Sequence, residues 1–308
     1  MLVKDILWSA RDDYLDDTVQ PYGCKDELLL RHLNTALNEW CRETGCLRDW
    51  TTPAICKTLI LTNQHTYPMD PRITEIHKGY LDHGSPIVLP KDDGWLDENV
   101  GSWRRDTATG SVLWLLPDYG QNFFRVIYYP PSTLGYWSGA FNFTASSQTI
   151  VHAIGTTEGN FSTLLAVGDQ VGISKTILNG TAAVPKVFTI GSVSTGSFTV
   201  SETVADEVVA SGGIIQKVID TLWLTVSRLS LVPLTVDTQS PEIRSDYHPY
   251  LVHGICREAW GKQDSQIYDK EKSKEQRSLF EDCKRKARAE RDWLRYSEKT
   301  MKPHAGAL

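Results

Sequence analysis

No apolar run in the 308-residue chain approaches the roughly 18 residues that a membrane span needs, so no transmembrane helix is expected. The six cysteines, Cys24, Cys41, Cys46, Cys56, Cys256 and Cys283, include no CxxC pair, which removes the usual zinc and dithiol spacings and leaves reduced thiols at apolar positions as the reading. GxSxG, GxGxxG, HExxH and a glycine-rich loop ending in GKS or GKT are all missing. No catalytic residue, cofactor or metal is therefore expected. The opening MLVKDILWSARDD carries Asp5 within its first turns and has no small-residue cleavage site, so it is not read as a secretory signal. On that reading the NxS/T triplets at Asn142, Asn160 and Asn179 stay unglycosylated. An excess of positive charge is lacking too. The net charge of −6 argues against a surface that grips nucleic acid throughout, because phosphates must be neutralised by Lys and Arg.

What is present is helical at both ends. Residues 2 to 17 place Val3, Ile6, Leu7, Ala10 and Tyr14 at helical spacing, with Asp12, Asp13, Asp16 and Asp17 on other faces. After VQPYG, the segment KDELLLRHLNTALNEWCRETG lines up Leu29, Leu30, Leu33, Leu37, Trp40 and Cys41. Acidic residues lie at its start, Arg42 near its end, and Gly45 is placed as a stop. Near the other terminus, Asp246 precedes YHPYLVHGICREAWGKQ as an expected N-cap, and Leu251, Ile255 and Ala259 recur with Val252, Cys256 and Trp260. A further run puts Phe280, Cys283, Ala287 and Leu294 on one face of an otherwise charged helix. From Asp264 to Lys302 twelve Lys or Arg interleave with nine Asp or Glu. One apolar stripe per helix cannot be buried alone, so the two terminal pairs are predicted to pack as one bundle (1–46 and 246–300).

Between them the period falls to two. KTLILT, ITEIHKGYL, SPIVLP, SVLWLLP, NFFRVIYYP and later TLWLTVSRLSL read as strands of a central antiparallel sheet (55–137 and 218–236). NQHTYPMDPR reads as a turn, and KDDGWLDENVGSWRRDT has room for one short helix. Residues 138–217 have a different composition: eight charged residues, ten glycines, and none of the chain's ten tryptophans. Short, evenly spaced strands with Gly-rich turns predict an inserted all-β domain, a small barrel or sandwich. The expected fold class is thus α+β: a core of 1–137 plus 218–308 interrupted by a β-domain at 138–217.

Three features invite functional readings. DDYLDD (12–17) would bring carboxylates together on a helix and could hold magnesium in a diphosphate-using enzyme, although such enzymes are helical throughout. His248 and His253 lie about 140° apart on a helix and cannot easily share an ion. The basic residues Lys284, Arg285, Lys286, Arg288, Arg291, Arg295, Lys299 and Lys302 admit three readings: a solvated face, a docking surface for an acidic protein, or phosphate binding. Aromatics beside Arg are favoured at protein interfaces, which makes Trp260, Lys286, Arg288, Trp293 and Arg295 the candidate partner contacts, although Trp293 would equally well close the bundle core.

The order of these segments resembles the adaptor, or head-to-tail connector, proteins of tailed bacteriophages. The resemblance is carried by KDILWSARDDYLDD, by KDELLLRHLNTAL with Leu33, Asn34 and Ala36, and by TYPMDP before Ile73. The closing YHPYLVHGICREAWGKQDSQIYDKEKSKEQRSLFEDC, with Ala259, Asp264, Asp269 and Phe280, carries most of it. It covers about 230 residues outside 138–217, while Trp260, Gly261 and the basic tail depart from the family pattern. The resemblance implies a structural protein of the virion's head–tail junction, made in the host cytoplasm. It further implies a homo-oligomeric ring, a dodecamer, that sits under the portal protein and extends the DNA channel. That ring would attach the tail nozzle or tube, with tail fibres as further possible neighbours. Genomic DNA would pass through without being specifically bound, and the acidic first helix or the sheet loops are expected to face it. A sequence-independent DNA-binding virion protein and a magnesium-dependent enzyme are the rival readings.

Overall fold

The structure, a computed structural model, describes residues 1–20, 22–62, 64–82, 86–87, 111–129, 136–152, 161–180, 185–262 and 267–300. The described chain is mixed α and β with extensive antiparallel sheet. Its helices are α1 (Val3–Ser9), α2 (Asp26–Thr44), α3 (Pro53–Cys56), α4 (His248–Gly261) and α5 (Lys270–Thr300). The strands in chain order are β1 (Arg48–Asp49), β2 (Lys57–Leu61), β3 (Thr66–Pro68), β4 (Ile73–Leu81), β5 (Pro86–Ile87), β6 (Ser111–Asp118), β7 (Phe123–Tyr129), β8 (Tyr136–Thr144), β9 (Thr149–His152), β10 (Gln170–Ser174), β11 (Lys186–Val193), β12 (Ser197–Val200) and β13 (Glu207–Arg228). Two compact units emerge, one of residues 1–49, 71–75 and 226–308, the other of 50–70 and 76–225.

The first unit is helical. Leu29, Leu33, Ala36, Leu37, Trp40 and Cys41 of α2 share a core with Leu251, Val252, Ile255, Cys256 and Ala259 of α4 and with Phe280, Cys283 and Ala287 of α5. Val3, Ile6, Leu7 and Ala10 join the same core, so both ends of the chain contribute to one apolar interior. Burying each of these large side chains contributes roughly 1.5 to 3 kcal/mol. The sequence spacing that predicted the helices thus also placed their buried faces.

Close packing here depends on Gly254. A Cβ at that position would lie 2.6 Å from Ala36 Cβ and 3.1 Å from Phe280 Cζ, so α2 and α4 meet where both present small residues. At the end of α2, Gly45 turns left-handed (φ 58°) and its N–H reaches Cys41 O, as the sequence led one to expect. The freed carbonyl of Thr44 accepts from Arg291 Nη1 at 2.6 Å, and that of Gly45 from Ser227 Oγ at 3.3 Å.

Two local expectations change. The first helix does not continue regularly to residue 17 but widens to a π-helix over Ala10–Leu15, ending at Asp16 in the left-handed region. The wider turn carries Arg11 and Leu15 inward, while Tyr14 is only half-buried. Asp246 makes no cap for α4. It pairs instead with Arg244, and a 3₁₀ turn (Ser245–Tyr247) leads into the helix, whose second residue is a proline with no N–H to satisfy. A side-chain cap is present at α5, where Asp269 Oδ1 accepts from the amides of Glu271 and Lys272, both at 3.0 Å.

In the second unit, β8, β9, β12, β11, β10 and β13 are paired antiparallel in that order, and β13 returns to β8, closing a six-stranded barrel. Closure leaves no open sheet edge. Trp137, Phe141, Phe143, Phe161, Val171, Phe188, Phe198 and Ile215 fill the interior. Gly212 (φ 75°) and Gly213, whose Cβ would meet Phe141 at 2.8 Å, sit at the irregularity that lets β13 bend around this core.

Beyond Lys217 the same strand pairs with β2, Val218 opposite Leu61 through Trp223 opposite Lys57. On its other side β4 follows, with β5 beyond it. A separate three-stranded sheet, β3-β7-β6, stacks Tyr67 on Phe124 at 5.6 Å. Thr66–Pro68, read from sequence as part of a turn, is its edge strand. TLWLTVSRLSL is likewise no separate strand but the end of a 22-residue one. The compact unit that holds the barrel also takes in β2, β3, β5, β6, β7 and β4 from Ile76 onward, while Pro71–Glu75 belong to the helical unit. The short helix considered within KDDGWLDENVGSWRRDT lies outside the described residues.

Candidate interaction surface

Lys284 organises the charged side of the helical unit. Although it counted as one of eight basic residues on a charged helix, its side chain is fully buried. Its Nζ lies 2.6 Å from Glu39, 2.8 Å from Glu281 and 2.9 Å from Glu43. Arg257 of α4, also buried, holds Glu39 with both terminal nitrogens, at 2.8 and 3.0 Å, and Glu258 at 2.6 Å. Helices α2, α4 and α5 are thereby joined by one ionic network beside the aromatic cluster of Trp40, Tyr250 and Phe280.

The three carboxylates present oxygens within 4.8 Å of one another, a spacing that suits a bound cation. The protein's own ammonium fills that place. Burial works to raise the Glu39 pKa, but hydrogen bonds from Arg257 and Lys284 outweigh it and hold the group down at about 2. For Lys284 burial favours the neutral amine, and the hydrogen bonds it donates to Glu281, Glu39 and Glu43 more than reverse this, raising its pKa.

The five candidate contacts separate once placed. Trp260 is 6% exposed, inside the core, with Lys272 Nζ 5.1 Å from its ring, and so offers little surface to a partner. Arg288 is half-buried and approaches Glu43 at 3.7 Å. Lys286 is exposed, and among the described residues it has no ion-pair partner. Trp293 is 68% exposed. Arg295 belongs to α5, but its side chain lies outside the described residues, as does that of Leu294. Lys286 and Trp293, two turns apart on α5, are what remains of the set as exposed surface.

DDYLDD also divides. Asp12, Asp13 and Asp16 are exposed, whereas Asp17 is buried and paired with Arg11 at 2.5 Å. Asp17 further accepts from the amides of Gly23 at 2.7 Å and Cys24 at 3.0 Å, and Arg11 extends to Cys24 O and to Asp26 at 2.6 Å. Asp17 thus pins the α1–α2 connection and is committed to an internal partner. His248 receives the Met1 amino group at 3.1 Å and reaches Ile243 O at 3.0 Å, while His253 bonds Gln276 at 2.7 Å. Five of the six cysteines are buried.

Sequence reasoning missed the Lys284 network. The signal was available: Glu39 and Glu43, four apart, fall on one side of α2, and Lys284 sits one position from Cys283 on the predicted apolar face of α5. Among the described residues, no helix is long and apolar enough to cross a membrane. No known protein family matches the chain, and no curated protein matches it.

Proposed function

We propose that this chain is a structural subunit of the head–tail junction of a tailed bacteriophage: an adaptor that forms a ring under the portal, extends the DNA channel and attaches the tail nozzle or tube, with no catalysis of its own. The observation that supports this reading is the shared core of the first and last helices. Residues more than 200 positions apart, such as Leu33 and Ile255, are buried together, and the Met1 amino group meets His248. A body built from both chain ends leaves the long β excursion between them available as contact surface, the organisation that the resemblance implies. The fate of DDYLDD also favours a non-enzymatic role, since Asp17 is held by Arg11 and the remaining carboxylates are solvated.

The test is electron microscopy and native mass spectrometry of the purified chain, alone and mixed with a portal ring. Closed rings, dodecameric by expectation, that cap the portal support the proposal. A monomer that ignores the portal, or one with magnesium-dependent turnover, overturns it. Tight, salt-sensitive retention of duplex DNA by the isolated chain would instead favour the DNA-binding reading.

A further inference from the structure

Two of the six cysteines meet at the end of α2. The left-handed turn at Gly45, whose N–H reaches the Cys41 carbonyl at 3.0 Å, reverses the chain and sets the residue after the turn against the one that accepts this bond. An apolar pair often fills these two places, and here they hold Cys41 and Cys46. Cys41 is fully buried in the helical core, whereas Cys46 packs against that core and is only half-buried, so one thiol of the pair is open to solvent. The two side chains hydrogen-bond to each other. Beside them the indole N–H of Trp40 is buried with no hydrogen-bond partner among the described residues, a donor that a Cys46 thiolate would satisfy. The other groups facing the pair are Arg228 and Glu242, which hold each other at 2.8 Å beside Cys41, and Tyr247 beside Cys46.

We propose that Cys41 and Cys46 form a redox-active dithiol that takes small-molecule disulfides as its substrates, with Cys46 as the attacking thiol and Cys41 as the resolving one. The Cys46 thiolate attacks one sulfur of the reagent, whose S–S bond breaks and whose other half leaves as a thiolate. Cys41 then gives its proton to solvent and attacks Cys46 Sγ, expelling the second half. Two protein thiols and one disulfide thus become one protein disulfide and two small thiols, and two electrons pass to the reagent. Exposure and charge agree on the order of attack. The hydrogen bond from Cys41 lowers the Cys46 pKa, burial opposes it, and the Cys46 amide and the Trp40 indole add to the lowering, which brings the thiol to about 7. Its bond to Cys46, together with burial, holds Cys41 well above the ordinary thiol range, and the first of these causes vanishes once Cys46 is part of a mixed disulfide. The new bond closes the turn whose carbonyls, those of Thr44 and Gly45, hold Arg291 and Ser227, so it fastens the point at which α5 is tied to α2. It needs no second chain and stands apart from the assembly proposed above.

The test treats the full, folded chain with oxidised glutathione, blocks the remaining thiols and maps the products by mass spectrometry without reduction. Trypsin cuts after Arg42, so the proposed bond joins peptide 32–42 to peptide 43–48, with the loss of two hydrogens and no glutathione retained. Cys41→Ala should keep glutathione on Cys46, because nothing resolves the adduct, and Cys46→Ala should leave Cys41 unmodified. In the wild type, which needs no substitution, Cys46 should be alkylated by iodoacetamide near pH 7 at least about tenfold faster than the other five cysteines. A wild type that keeps glutathione on Cys46, or leaves both residues as thiols, overturns the proposal, as does alkylation of Cys46 at the rate of its neighbours.

Discussion

Lys284→Met removes one charge from the centre of the helical unit while keeping most of the side chain's apolar stem. Three carboxylates with oxygens within 4.8 Å then lose the ammonium between them. At an effective dielectric near 20, two such charges repel by roughly 3 kcal/mol before relaxation. Glu43 and Glu281 relieve part of this by turning to water, being 36% and 47% exposed, whereas Glu39 stays tied to Arg257. Removing one partner of a buried ionic network costs about 3 to 5 kcal/mol, and the partial exposure puts this case near the lower bound. A loss of about 3 kcal/mol should lower the thermal midpoint of the helical dichroism signal by about 10 °C. Lys286→Met, two residues away and exposed, should change stability by less than about 0.5 kcal/mol. Equal effects of the two substitutions in matched urea titrations would refute the reasoning.

The acid limb gives a second readout of the same network. Glu39 has its pKa depressed from an ordinary 4.5 to about 2, so its stabilisation is complete above about pH 4.5 and is lost as pH falls through 2. Without Lys284 that loss should begin at higher pH, measured by unfolding midpoints across pH 2 to 5. Gly254→Ala should destabilise by about 1 to 3 kcal/mol through the clash with Ala36, and Ala36→Gly in the same chain should recover part of the loss in urea unfolding. Asp17→Asn should cost about 3 kcal/mol because buried Arg11 loses its charged partner, while Asp12→Ala and Asp13→Ala stay within about 0.5 kcal/mol. Equal sensitivity at the three aspartates in thermal melts would contradict the division of DDYLDD.

The helices were legible because their periodicity is what burial selects. Leu29, Leu33, Leu37 and Trp40 face inward for the same reason that they recur at 3.6-residue spacing, and Gly45 stops α2 as read. Local pattern could not show how a strand ends. Residues 207–228 carry two textures, Gly-rich and then Trp- and Leu-rich, because one end borders the barrel and the other pairs with β2, yet no turn intervenes. The π-helix at Ala10–Leu15 was equally hidden, since it answers to the Arg11–Asp17 pair, a tertiary demand that moves Arg11 inward. Of the candidate contacts, exposure was readable for Lys286 from its polar neighbours. For Trp260 it was not, because an aromatic at the end of an apolar stripe fits a core and an interface equally well, and here the side chain is buried.

Counting cations on α5 overstates what that helix can offer to phosphate. Lys284 is sealed among three carboxylates, Arg285 pairs with Asp282 at 2.7 Å, Arg288 approaches Glu43, and Arg291 is divided between Asp292 and the carbonyl of Thr44. A cation already paired must break that contact before it can release a counterion from DNA, so its contribution to binding is correspondingly reduced. Since log K falls with log salt by about 0.9 per phosphate neutralised, the described part of the helix should support a slope no steeper than about −2. Fluorescence anisotropy of a labelled duplex between 50 and 200 mM salt measures it. A slope steeper than about −5 would show that these pairs open readily, and the α5 surface would then be a nucleic-acid surface rather than a protein contact.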